Sequence, residues 1–273
     1  MRYSLIILVV AMVLSLGMSY LWNPVRLAQN SGNPAAELHA MTSQDPDLER
    51  AMQNADKGDV TDLVKWINRA DPLQRQRLAT LMITLVSPKV GDAAREPNVH
   101  LVYTYRQRFR AFLNLGTGDE RLDIALENLL AYSVVTANES PTKQDIALAN
   151  LLVPRLRRAA AEFNDDALWD TVGCALFASG DFTGAKDAFS TAQRLARESK
   201  SKEKERRALT ELYQRRTQAA ERNLQLVAEK SSEPLAPLPR EIEAAPVATS
   251  DTDKAAAEAP KPGVQPAPEA STP

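Results

Sequence analysis

The chain has 273 residues with 33 basic and 35 acidic side chains, a formal charge of −2 that excludes the strong field needed to gather nucleic acid or an acidic membrane surface. One cysteine, Cys174, rules out an intrachain disulfide, and His39 and His100 are too far apart in sequence to form a metal-spacing motif with it. With 44% hydrophobic residues and only 10 glycines, the composition favours one helical domain over a turn-rich sheet.

After Met1 and Arg2, the stretch from Tyr3 to Trp22 carries no charge. About 20 apolar residues in a helix cross a hydrocarbon core of roughly 30 Å, and Asn23-Pro24 then stops the helix. Residues 1–25 are therefore expected to form a transmembrane anchor that enters the membrane through residues 3–22. A cleaved secretory signal is the rival reading, with Ser15-Leu16-Gly17 or Gly17-Met18-Ser19 as the small-residue site. Arg2 favours a cytoplasmic N-terminus, which puts a single-pass protein in the inner or plasma membrane with its body on the extracytoplasmic, periplasmic side.

Residues 26–44 show no clear periodicity and read as a linker. A helical domain is expected over 45–230. Asp45-Pro46 opens its first helix, Lys57-Gly58-Asp59 turns into Leu63, Val64 and Ile67, and Asp71-Pro72 starts a helix carrying Leu78, Leu81, Met82 and Leu85. Ser87 to Pro97 reads as loop. Val99 to Leu115, Leu122 to Thr136 and Ile146 to Phe163 each read as an amphipathic helix, with Gly116-Thr117-Gly118 as a turn between the first two. Leu209, Leu212, Tyr213, Ala219, Ala220, Leu224 and Val227 form a stripe on a charged capping helix. The tail, 231–273, holds nine of the chain's 17 prolines and is expected to be disordered.

The most specific pattern lies between Ala167 and Arg197. Trp169, Val172, Gly173 and Leu176 recur at helical spacing; after the turn Gly180-Asp181-Phe182, so do Ala185, Phe189 and Ala192. Small Gly173 and Ala185 let two backbones approach while Trp169 and Phe189 fill the wedge beside them. This pattern resembles the tetratricopeptide repeat, with Leu176 standing where an aromatic is usual. The resemblance implies an all-α, right-handed solenoid of helical hairpins, divergent outside this segment, and a protein-binding activity. One hairpin cannot bury its own faces, so degenerate neighbours are expected to stack on it.

Other patterns have bland explanations. Tyr103, Tyr105, Arg106, Arg108, Phe109 and Arg110 interleave aromatic and basic residues, but they read as a core stripe of Tyr105, Phe109 and Phe112 with solvated arginines rather than a nucleic-acid platform. Arg155, Arg157, Arg158 and the pairs Arg206-Arg207 and Arg215-Arg216 read as a solvated face, with a groove for an acidic peptide as the alternative. Asp165-Asp166 reads as a helix cap and Cys174 as a small core residue. No catalytic, cofactor or metal constellation emerges. The expected function is a membrane-anchored extracytoplasmic scaffold or chaperone-like adaptor for a protein or peptide partner, without enzymatic activity. The alternative is a cell-envelope hydrolase whose carboxylate site is dispersed in sequence.

Overall fold

Every regular element in the computed structural model, which describes residues 33–87, 98–138, 140–201 and 203–240, is a helix, and there is no strand among the described residues. Residues 3–22 lie outside them, as does the tail beyond 240; no helix of the described residues is long and apolar enough to cross a membrane.

Helices α1 (Pro34–Gln44), α2 (Pro46–Asp56) and α4 (Pro72–Val86) all begin with a capping Asn or Asp followed by proline. The side chain accepts the orphan N–H groups of the first turn, and proline gives up only an N–H that had no partner. Helix α1 is a departure from the sequence reading, because it forms where a linker was expected. Its mean pattern is weakly amphipathic, but Leu38 is buried and α1 packs on α4. Asp45 closes α1, caps α2 and accepts a hydrogen bond from Trp66 Nε1 at 2.7 Å, so one carboxylate ties α1 and α2 to α3 (Thr61–Arg69).

The expected helix from Val99 to Leu115 is broken into α5 (Val99–Thr104), α6 (Arg106–Arg110) and a turn. At Tyr105 the bonding tightens, with the Arg108 N–H reaching the Tyr105 carbonyl at 2.8 Å. Arg108 then pairs with Asp56 of α2 through two hydrogen bonds of 2.6 and 2.5 Å, while Phe109 and Phe112 are buried. Gly116 and Gly118, both at positive φ, turn the chain into α7 (Glu120–Thr136).

Helix α7 is the centre of the molecule. Leu130 to Ala137 are all buried, which a helix achieves only when neighbours surround it. Helices α4, α5, α6, α8 (Lys143–Phe163) and α9 (Asp166–Ala178) pack against it. From α7 onward each helix packs on the next, through α10 (Phe182–Glu198) to α11 (Glu203–Ala228). The coarse expectation of an all-α protein is met. Residues 231–240, placed in the tail by sequence, are instead packed along the last helix: Ala236 and Leu238 lie against the main core.

Candidate interaction surface

Helices α9 and α10 pack against each other. A Cβ placed on Gly173 would sit 2.4 Å from the Phe189 ring, so glycine is what allows that ring to lie against the α9 backbone. Val172, Ala185, Phe189 and Ala192 are fully buried, with Leu176 and Phe182 nearly so. Phe182 meets Phe177 edge to face at 5.3 Å between ring centres. Gly180 turns the chain at φ +84°, and the Asp181 carboxylate then caps α10. Trp169 is half-buried and bridges the main core to a smaller cluster of Ala192, Ala196, Leu212 and Tyr213, which joins α10 to α11.

Beyond the hairpin, the buried stripe of α11 differs from the apolar one expected. Leu212, Tyr213, Ala219 and Ala220 are buried, but Val227 is 59% exposed, and Arg216 and Asn223 occupy the stripe at 1% and 0% exposure. Arg216 is thus a correction to the solvated face expected of the arginine pairs. Its guanidinium pairs with Asp170 of α9 through Nη1, donates from Nη2 to the Tyr132 hydroxyl of α7 at 3.0 Å, and donates from Nε to the Pro239 carbonyl at 2.9 Å. Burial opposes the charge on Arg216, but Asp170 beside it holds the group protonated, well above its ordinary range. Burial also pushes the Asp170 carboxyl up, against the pull of Arg216.

Seven residues on, two turns along the same face, Asn223 pairs twice with one residue of the strap formed by residues 231–240. Its Oδ1 accepts from the Ala236 N–H at 2.7 Å and its Nδ2 donates to the Ala236 carbonyl at 3.0 Å. Sequence reasoning missed this network. Its signal was present: two strongly polar residues seven apart inside an apolar stripe, a position where water is absent and a partner is required.

The remaining arginines divide. Arg157 and Arg158 are exposed as expected, whereas Arg155 pairs at 2.5 Å with Glu127, which is only 4% exposed. Arg197, Arg206 and Arg207 line an open hollow of about 450 Å³ together with Glu211. The interleaved segment is a packed one: Arg106 stacks over Tyr103 and Arg108 over Tyr105, at 4.2 and 4.1 Å.

The acidic residues at the start of α9 are each engaged. Asp165 caps the helix through the Leu168 N–H and, with Arg121, Asn128 and Phe163, lines a cleft of about 160 Å³. Asp166 accepts from the Tyr213 hydroxyl at 3.1 Å. Burial raises the carboxyl of Asp165, and burial followed by the charge of Asp165 raises that of Asp166. Burial likewise raises the Tyr213 hydroxyl far above its usual range. Asp165 is the carboxylate in the lining of that cleft. Cys174 is buried, His39 and His100 are exposed, and no group of three His, Cys, Asp or Glu among the described residues could hold a metal.

The chain matches no protein-family model, no curated protein and no solved structure.

Proposed function

We propose that this chain is a membrane-anchored scaffold or chaperone-like adaptor whose helical body binds a protein or peptide on the extracytoplasmic side. The observation that carries the reading is the α9/α10 hairpin, in which Phe189 closes over Gly173 in the manner of the tetratricopeptide pattern, a family whose usual activity is protein binding. The uncharged stretch 3–22 supplies the anchor, and Arg2 the orientation. A right-handed stack of hairpins, with α7/α8 as a degenerate neighbour of α9/α10, is part of this proposal.

Two experiments test it. Crosslinking in intact membranes followed by affinity capture of the full chain is expected to recover a protein partner; recovery of none above background overturns the scaffold. A single cysteine placed in the tail beyond residue 240 is expected to react with a membrane-impermeant reagent in spheroplasts, where Cys174 is shielded by burial. Reaction only after lysis reverses the orientation.

A further inference from the structure

The strap Ser231–Arg240 is held in a way that does not depend on its being part of the same chain. Asn223 reads a backbone N–H and a backbone C=O of the same residue, Ala236, which is how one extended chain reads another and which ignores the side chain. Three residues later Arg216 reads a second carbonyl, that of Pro239. From Leu235 to Leu238 the side chains alternate as in an extended segment: Ala236 and Leu238 pack on the core, whereas Leu235 is 51% exposed and Pro237 is exposed.

Arg216 has anchors outside the strap: Asp170 and Tyr132 hold it, and with the strap in place both Arg216 and Asn223 are buried in the stripe of α11. The occupant is more loosely placed, since every residue of 231–240 is half-buried or exposed. Prolines 234, 237 and 239 pre-set an extended backbone, lowering the entropy lost on docking, and leave carbonyls free to accept. Recognition thus asks for an extended segment with a free N–H and a small side chain at one position, an apolar residue two places on, and prolines at positions where no N–H is read.

We propose that the surface formed by Asn223 and Arg216, with Asp170 and Tyr132 behind them, is a binding site for an extended, proline-punctuated peptide of a partner protein, and that Ser231–Arg240 is its resident occupant and competitor. The proposal rests on the protein-binding reading above and gives that partner a chemistry. Tethering keeps the strap at a high effective concentration, so a partner segment binds when it is locally abundant or when the strap is loosened.

The test uses the full chain and a fluorescent peptide of residues 231–240. Ala236→Pro removes the N–H that Asn223 accepts from while preserving an extended backbone, so the strap is weakened and the site left intact. Fluorescence anisotropy is expected to show saturable peptide binding to the Ala236→Pro chain, about tenfold or more tighter than to the unaltered chain. Adding Asn223→Ala is expected to abolish most of that gain, and a peptide carrying proline at its Ala236 position is expected not to compete.

No saturable binding to an Ala236→Pro chain of unchanged helix content, or binding indifferent to Asn223→Ala, overturns the proposal. Should Ala236→Pro fail to fold, a dye at Leu235→Cys of the otherwise unaltered chain reports directly. Excess unlabelled peptide is expected to displace the strap and lower the dye's anisotropy, and an unchanged signal at saturating peptide overturns the proposal. A dimer formed by strap exchange that excludes the added peptide also overturns the partner assignment. Failure of peptide binding with partner capture from membranes intact removes this site alone; failure of capture with peptide binding intact removes the scaffold reading alone.

Discussion

Gly173 shows how a single residue sets the spacing of two helices. The Phe189 ring occupies the space a side chain would need, and both partners are buried, so neither can move far. Gly173→Ala is expected to destabilise the protein by about 1–3 kcal/mol through overpacking, even though alanine is the better helix former. Urea unfolding followed by circular dichroism measures it, and an unchanged or raised midpoint would refute the close packing. Asp165 makes the opposite argument for charge. Its carboxyl is raised in the folded state, so its contribution to stability is fully present below the ordinary value of 3.8 and is lost as pH rises through the folded value. Asparagine caps as well as aspartate and cannot ionise. Asp165→Asn is therefore expected to raise the urea midpoint at pH 7 and to lose that advantage as the pH is lowered below about 4. A benefit that is the same at both pH values would show that the charge is not the cause.

At the scale of elements, Arg216 does the joining. One side chain on α11 reaches α9 through Asp170, α7 through Tyr132 and the strap through Pro239. Arg216→Met leaves Asp170 buried without its charged partner and is expected to cost about 3–5 kcal/mol. Replacing both partners, Arg216→Met with Asp170→Leu, removes the uncompensated charge and is expected to recover most of that loss. If the double variant is as unstable as the single one, the hydrogen bonds to Tyr132 and Pro239 matter more than the ion pair. The strap itself was misassigned from sequence because proline-rich composition speaks against helix and core, but not against an extended segment docked on a helix. Helix α1 was missed for a related reason: a short, weakly patterned helix is stabilised by its cap and by burial of Leu38 against α4, neither of which periodicity reveals.

Among the described residues, the main buried cluster runs from Leu38 to Ala220, with a smaller one between α10 and α11, and α7 is in contact with helices from both halves. Helix α1 packs on α4 as well as on α2, the next helix in the chain. Contacts of this kind couple helices that are not adjacent in the chain. Urea unfolding is therefore expected to be a single transition, with coincident midpoints from helix content and, in a Trp22→Phe background, from the fluorescence of Trp66 and Trp169, which report on opposite halves. Separated midpoints would mean that the halves unfold as independent units.

Local chemistry written in the chain determined much of this protein by itself. The Asp-proline starts of α2 and α4, the helical class, the glycine turns and the pairing of two helices around Gly180 all depend on residues close in sequence, whose spacing is visible without a structure. Which polar residues leave water depends instead on long-range packing. Arg216 looks like any arginine on a charged helix until Asp170, 46 residues away, and Tyr132, 84 residues away, are brought to it. The same holds for the strap and for the central position of α7. Burial and pairing at a distance are set by the whole assembly of faces, and sequence spacing carries no record of which faces meet.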